Sequence, residues 1–183
     1  MLNPKVYSNG WCPPTHNKTV IVTDRETMKP STVFAITVCA IANTLDGHVS
    51  VCRVKAEDVS WFCNGVWRFS EFDKNNLNYS FAVEKPNHKD DIPYGAAGIS
   101  WSMFGKTLIK RLGYTTSVQE IWQAIDQNIA LQFDGMNCIS HEQDNQPLLE
   151  NPTDEKYDDI LEAQIRAMEN YLQNEIAIAA KPL

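Results

Sequence analysis

The sequence predicts an α+β fold: an antiparallel β-meander of five to six strands, a helical hairpin packed on it, and an acidic C-terminal helix. Two observations predict it. Residues 18–84 contain short runs rich in Val, Ile, Thr and aromatic residues, separated by turn residues, as is typical of strands. After a loop over residues 86–98 with two prolines and two glycines, apolar residues recur with the 3.6-residue period of helices.

Six segments are predicted as strands, and two-residue turns separate some of them. Asn64-Gly65 lies between two aromatic-rich runs and favours a type I′ hairpin turn, because both central positions of that turn need positive φ. Asp46-Gly47 offers a second turn of this kind. The stretch 32–41 is apolar on both faces and is also compatible with a buried helix. The predicted strands cover residues 18–23, 32–41, 48–55, 59–63, 66–70 and 79–84.

Two helices are predicted after the loop. The first carries an apolar stripe from Trp101 to Leu112 and ends at Gly113, which is placed as a left-handed C′ residue. The second begins at Ser117, which forms an S-x-x-E capping box with Glu120. We expect both helices to cover one face of the sheet. The apolar face of the second helix consists of Val118, Ile121, Trp122, Ile125, Ile129 and Phe133.

The negative charge of the chain lies at its C-terminal end. Residues 1–140 contain 13 basic and 13 acidic residues, whereas residues 141–183 contain 3 basic and 10 acidic residues and hold the whole net charge of −7. The polar stretch 140–153 is predicted as a linker between an α+β domain over residues 1–139 and an acidic amphipathic helix over residues 154–181. A neutral body with an acidic end is more typical of a protein that binds another protein than of one that grips a phosphate backbone.

The C-terminal helix is the predicted interaction surface. A helix of this length is marginal alone in water, so its apolar stripe must be buried against the body, a second copy or a partner. Because a linker lets the helix leave the body, we expect a second copy or a protein partner. The predicted partner-binding residues are Leu161, Ile165, Met168 and Leu172 in the stripe, and Asp158, Asp159, Glu162 and Glu169 among the acids.

These observations favour a small, non-enzymatic binding or accessory protein that recognises another macromolecule. One version, which rests on charge alone, is an acidic inhibitor or regulator of a nucleic-acid-binding protein, of the kind found in phages and mobile elements. No apolar run of 18 residues and no signal peptide is visible, and the five cysteines form no C-x-x-C pair. Cytoplasmic residence with reduced thiols is therefore expected. We predict no catalytic residue, no cofactor and no metal site.

A DNA-binding regulator is the first alternative. Residues 105–126 are compatible with a helix-turn-helix, because Gly113 separates two helices and Leu108 and Trp122 occupy apolar positions of that motif. The would-be recognition helix argues against it, since it contains no Lys or Arg to neutralise phosphates. The residues that it is predicted to expose are Gln119, Glu120, Gln123 and Asp126.

An enzyme with a site scattered over loops is the second alternative, because a triad built from distant positions leaves no sequence motif. The best local cluster of titratable groups is His88 with Asp90 and Asp91, for which a solvated turn is the favoured interpretation.

Two further motifs are weaker still. Gly105-Lys106-Thr107 matches the end of a phosphate-binding loop, but Ser100 stands where that loop needs glycine. The two Cys/His pairs, which would make a zinc site only with an unusual spacing, are Cys12 with His16 and Cys138 with His141.

Overall fold

A parallel β-sheet lies at the centre of the computed structural model, which describes residues 1–8, 19–24, 30–54, 67–69, 94–134 and 154–181. Its strand order is β1-β3-β2-β4, and every strand pair is parallel. Val51, in the middle of β3, is paired with Val6 of β1 on one side and Ile21 of β2 on the other. The predicted α+β fold with an antiparallel meander is therefore wrong. The strands are β1 (Asn3–Tyr7), β2 (Thr19–Asp24), β3 (His48–Val54) and β4 (Trp67–Phe69).

The main cause of the error is helix α1 (Pro30–Asn43), which occupies the stretch predicted as the second strand. All residues from 31 to 42 are buried, so the helix has no polar stripe to reveal its period. Pro30 suits the first helical position, where its missing N–H is not needed. A helix between two strands allows the chain to cross back and pair them in parallel.

The remaining predicted strands have different outcomes. Residues 18–23 and 48–55 coincide with β2 and β3, and residues 66–70 contain β4. Residues 59–63 and 79–84, together with the Asn64-Gly65 turn, lie outside the described residues. The Asp46-Gly47 turn joins α1 to β3 rather than two strands. Gly47 has φ +84°, and the Asp46 carboxylate accepts the His48 N–H at 3.0 Å.

Three more helices lie in the described residues: α2 (Ala96–Arg111), α3 (Val118–Ile125) and α4 (Asp154–Ala179). Gly113 has φ +93°, which confirms its predicted left-handed conformation after α2. Ser117 precedes α3 but itself has φ +56° and makes no side-chain capping bond, so the predicted capping box is not formed. A π-helical turn (Asp126–Ala130) prolongs α3, and helix continues to residue 134. No helix in the described ranges is long and apolar enough to cross a bilayer.

Helices α1 and α2 pack side by side and point the same way. The Arg111 guanidinium, in the last turn of α2, donates to the carbonyls of Ile41 and Thr44 at the end of α1. The two helices therefore also have their first turns on the same side of the fold. Because α1 follows β2 in the chain, this side is the one where the parallel strands have their carboxyl ends. The largest fully buried side chains are Trp101, Phe34, Ile36, Leu108, Ile109, Ile121, Ile165, Leu172 and Ile176.

Gly105 lies inside α2 and not in a phosphate-binding loop. A Cβ at this position would be 2.7 Å from the Trp101 ring and 2.9 Å from the Trp122 ring. Two hydrogen bonds hold the indoles in place: each indole donates its Nε1–H to the backbone carbonyl of the other tryptophan, at 3.0 and 3.1 Å. The glycine thus permits α2 and α3 to approach closely.

We expect Gly105→Ala to destabilise the protein by about 1–2 kcal/mol, although alanine favours a helix interior by about 1 kcal/mol. The added methyl group must displace two hydrogen-bonded indoles. Urea denaturation measures the change. Ser102→Ala, at an exposed position of the same helix, is the control and is expected to be neutral or slightly stabilising. A Gly105→Ala protein as stable as the parent would contradict the close-packing role.

Candidate protein-binding surface

The apolar stripe of α4 packs on the body of the same chain. Leu161, Ile165 and Leu172 are fully buried against β1, α1 and α3, and only Met168 keeps partial exposure. The stripe that we expected to meet a second copy or a partner is therefore covered within the chain. A polar connection does not prevent a helix from folding back, and a fully apolar stripe of this kind is stabilised by burial wherever the body offers a complementary face.

Two glutamates of α4 face inward and bind the backbone of β1. The Glu169 carboxylate accepts the Leu2 N–H at 2.8 and 3.0 Å, and Glu162 accepts the Val6 N–H at 3.0 Å. Pro4, midway between them, has no N–H to satisfy. Since β1 is an edge strand, its outward N–H groups would otherwise lack partners or invite pairing with another chain. The helix therefore seals this edge of the sheet.

Asp158 also faces inward, whereas Asp159 is exposed. The Asp158 carboxylate accepts a hydrogen bond from the Ser8 hydroxyl and pairs with Arg53 at 3.4 Å. The Arg53 guanidinium, which is buried, lies 5.6 Å from the centre of the Tyr157 ring. Three of the four acids predicted to bind a partner are thus engaged inside the fold. Of these four acids, only Asp159 remains an exposed charge for the predicted inhibitor or regulator of a nucleic-acid-binding protein.

A second stripe on α4, which we call the outer seam, faces solvent. Its six residues follow one another at spacings of four and three, and all six are exposed. Among the described residues, the large exposed hydrophobic side chains are Met1, Leu45 and three from this seam, with exposed fractions of 39% (Ile160), 38% (Tyr171) and 58% (Ile178). Alternating spacings of four and three are the pattern of a helix that packs on another helix. The outer seam consists of Ile160, Gln164, Ala167, Tyr171, Asn174 and Ile178.

An apolar groove of about 350 Å³ lies beside the middle of the outer seam. Aromatic rings in contact form part of its wall: the Tyr171 and Phe133 ring centroids are 6.4 Å apart in an edge-on contact, and the Phe133 and Phe34 centroids are 5.3 Å apart. Met168, the partly exposed member of the predicted stripe, lines this groove. Flexible thioethers and aromatic rings are common in surfaces that bind other proteins. The lining residues are Pro30, Val33, Phe133, Gln164, Ala167, Met168 and Tyr171.

Few charged side chains flank the outer seam in the described part of α4. Asp159 lies beside its first residue, Glu175 beside its last turn, and Lys181 just after the end of the helix. Arg166 is paired with Glu162 at 3.4 Å, towards the inward side. The seam is thus a mainly apolar surface with charges near its ends.

Tyr171, at the middle of the seam, carries no charge. Partial burial, and after it the charge of Glu175, raises the pKa of the Tyr171 phenol. A phenol already titrates well above neutral pH, so this shift keeps the side chain protonated in physiological conditions. Tyr171 therefore offers a partner an aromatic ring and a neutral hydroxyl.

Sequence reasoning missed the outer seam because the inner stripe carries the stronger signal. The inner stripe contains only Leu, Ile and Met at its predicted positions, whereas the seam includes polar and small residues such as Gln164 and Asn174. A usable signal existed nonetheless. Ile160, Tyr171 and Ile178 repeat at spacings that fit a 3.5-residue period, which predicts a second helix contact when the first stripe is already occupied.

Buried polar groups gather where α2 begins. The Tyr94 hydroxyl donates to both Asp126 carboxylate oxygens, at 3.0 and 3.1 Å. Burial, followed by the nearby charge of Asp126, raises the pKa of the Tyr94 phenol. Asp134 accepts the N–H groups of Gly95, Ala97 and Gly98 at 2.8, 3.1 and 2.8 Å. It satisfies backbone donors that the start of a helix leaves without intrahelical partners.

The DNA-binding alternative gains nothing from this geometry. Gln119, Glu120 and Gln123 are exposed, but Asp126 is buried beneath Tyr94. Arg111, a basic residue on the first helix of the motif, donates to the Ile41 carbonyl at the end of α1.

The other sequence motifs give no site in the described ranges. Within them, no three His, Cys, Asp or Glu side chains are grouped to hold a metal ion. Burial raises the pKa of the Cys39 thiol, which makes it an unreactive core residue. The candidates that lie outside the described residues are Cys12, His16, His88, Asp90, Asp91, Cys138 and His141.

Comparison with protein families, curated proteins and solved structures finds no match to this chain.

Proposed function

We propose that this protein is a non-enzymatic binding protein that recognises another protein molecule through the outer seam of α4. The observation that carries the proposal is the exposure of Ile160, Tyr171 and Ile178 along one line of a helix whose other apolar stripe is already buried. Aligned apolar side chains of this size on a soluble surface mark contact sites more often than scattered ones do. The adjoining groove offers a cavity into which a partner side chain fits.

Site-specific photo-crosslinking in the cells that produce the protein tests the proposal. A photo-reactive phenylalanine analogue replaces Tyr171 in one variant and Lys110, on the exposed face of α2, in the control. We expect a discrete crosslinked product with the first variant and none with the second. Adding Ile160→Asp and Ile178→Asp to the first variant is expected to abolish the product, because both carboxylates resist burial in an apolar contact. The same products from both crosslinking positions would refute a specific surface.

A small-molecule site at the carboxyl ends of the strands is a second candidate, and it corresponds to the enzyme alternative. The observation that favours it is the parallel pairing of the four described strands, with α2 beginning beside Tyr94, whose hydroxyl donates to Asp126. Open α/β sheets bind ligands outside the carboxyl ends of their strands. A compound present at about a hundredfold its Kd adds about 2.7 kcal/mol of stability. A melting-temperature screen therefore reveals such a ligand, and outer-seam variants leave that shift unchanged.

A further inference from the structure

The outer seam has the same spacing in both directions along α4. Its six positions are separated by four, three, four, three and four residues, and they span about 27 Å of helix. Reversing the order leaves this spacing unchanged. Ile160 and Ile178 occupy the two ends, so each end carries the same apolar side chain. A surface of this kind can pair with a second copy of itself around a two-fold axis, with the two helices running in opposite directions.

Antiparallel pairing places apolar side chains beside apolar ones and polar side chains beside polar ones. Ile160 of one copy lies beside Ile178 of the other, and Gln164 lies beside Asn174, because each of these pairs is equally distant from the middle of the seam. The two amides have donors and acceptors with which to bond each other. Polar residues at such seam positions fix the register of paired helices at some cost in affinity.

The middle of the seam combines a small residue with a large one. In the antiparallel pair, Tyr171 of each copy lies over Ala167 of the other. Ala167 borders the apolar groove, which Phe133 of the body also lines. The groove of about 350 Å³ therefore has room for the ring that the second copy brings to it. Such a large side chain in a preformed pocket is the usual anchor of a protein contact.

The charges near the ends of the seam are complementary in the same arrangement. Asp159 of one copy lies near Lys181 of the other, on the same side of the helix pair, and symmetry repeats this pair at the opposite end. The last turn of α4 reaches this lysine, since the Lys181 N–H donates to the Ile178 carbonyl at 3.2 Å. The two copies of Glu175 are separated by about 18 Å along the helix axis, so they do not repel strongly.

Parallel pairing through the same seam is unfavourable. It would place each residue beside its own copy, so that Tyr171 meets Tyr171 while Ala167 meets Ala167 and leaves a gap. Lys181 would also lie beside Lys181, and like charges facing one another across a helix pair destabilise it. The arrangement of large, small and charged residues therefore selects the antiparallel direction.

Resting on the proposed function, we infer that the occupant of the outer seam is a second copy of this chain, bound with its α4 antiparallel. Tyr171 of each copy packs over the groove of the other, beside Ala167, and keeps its place in the wall of its own groove. Asp159 and Lys181 form an ion pair at each end of the contact. The inner stripe takes no part in this dimer, since it is already covered by the body of its own chain.

Sedimentation of the full chain tests the dimer. One helix face gives a contact at the small end of the range for protein interfaces, so we expect a dimer with a Kd of about 1–100 µM. Ile178→Asp and Ala167→Trp, which place a charge in the seam and fill the groove, are each expected to raise this Kd at least about tenfold, because each change acts twice. Leu45→Asp, at an exposed hydrophobic residue between α1 and β3, is the matched control and is expected to leave the Kd unchanged.

Charge exchange tests the ends of the contact. Asp159→Lys places a lysine near Lys181 of the other copy at each end of the dimer. Because these like charges repel, we expect the Kd to rise about three- to tenfold at low salt. Lys181→Asp is expected to do the same by pairing two acids. The protein that carries both changes has its opposite charges restored, so we expect its Kd to return to that of the parent. Rescue of this kind does not occur if the two residues only affect the stability of α4.

Disulfide trapping tests the direction of pairing. Gln164→Cys and Asn174→Cys are made in separate chains that differ in tag length, then mixed and oxidised. Antiparallel pairing predicts a disulfide between the two different chains, whereas parallel pairing predicts disulfides between identical chains. The parent protein, oxidised in the same way, shows any product of the five natural cysteines.

Four results would overturn the inference. They are a chain that stays monomeric at about 100 µM, a dimer that Ile178→Asp leaves intact, disulfides only between identical chains, and a photo-crosslink from position 171 to a different protein alone. The last of these leaves the proposed function standing, because the seam still binds a protein. Loss of any specific crosslink at that position refutes the proposed function itself.

Discussion

A chain that ends at Glu150 is expected not to fold. Removing α4 exposes the faces of β1 and α1 that bury Leu161, Ile165, Leu172 and Ile176. Burying side chains of this size contributes about 1.5–3 kcal/mol each, or roughly 6–12 kcal/mol together, and a whole domain is stable by only about 5–15 kcal/mol. The truncation also leaves the backbone N–H groups of β1 on an open sheet edge. Circular dichroism and light scattering should show an unfolded or aggregated chain.

A chain that ends at Lys181 is the matched control, because it keeps the whole of α4. It is expected to melt cooperatively at the temperature of the full protein. If the chain ending at Glu150 also melted cooperatively and stayed soluble, α4 would be an accessory element, and the buried stripe would be free to serve a partner after all.

This prediction reverses what the sequence alone suggested, and the reason is physical. A strongly apolar helical stripe shows that something covers it, but the covering surface leaves no local signal. Here most of that surface is formed by β1 and α1, which lie more than a hundred residues away in the chain. The acidic residues of α4 were misinterpreted in the same way. Glu162 and Glu169 were counted as surface charge, yet both are buried because an edge strand supplies N–H donors at matching spacing.

The prediction of the fold class was wrong mainly because of one segment, residues 31–42, and the reason is related. β2 and β3 are rich in Val and other β-branched residues, so residue patterns place them well. The direction of pairing, however, depends on what connects them. Residues 31–42 are buried on every side, so the period of α1 is invisible, and an unrecognised crossover helix makes a parallel sheet resemble a meander. Amphipathic segments such as α2 and α4, in contrast, were placed as helices by their 3.6-residue period.

Replacing Asp134 with alanine is expected to destabilise the protein by about 3 kcal/mol, the larger end of what a lost helix cap or a charged hydrogen bond costs. This carboxylate is 1% exposed and accepts three backbone N–H groups at the start of α2, from a residue at the end of the helical segment that continues α3 to residue 134. Alanine leaves those donors without an acceptor and removes a negative charge from the positive end of a helix. For a domain of this size the loss corresponds to a fall in Tm of roughly 6–12 °C.

Three further variants separate this cap from a general effect of removing charge. Asp134→Asn keeps the size and one acceptor oxygen, so we expect an intermediate loss, because its NH₂ group faces backbone donors. Gly95→Ala places a Cβ 2.7 Å from the Asp134 Oδ1 atom and is expected to push the carboxylate out of position without changing any charge. Asp159→Ala, at an exposed acid of α4, should alter the stability of the monomer, measured below the Kd of the dimer, by less than about 0.5 kcal/mol. Equal melting temperatures for Asp134→Ala and Asp159→Ala would show that α2 begins without help from Asp134, and that the carboxylate is held there for a purpose other than stability.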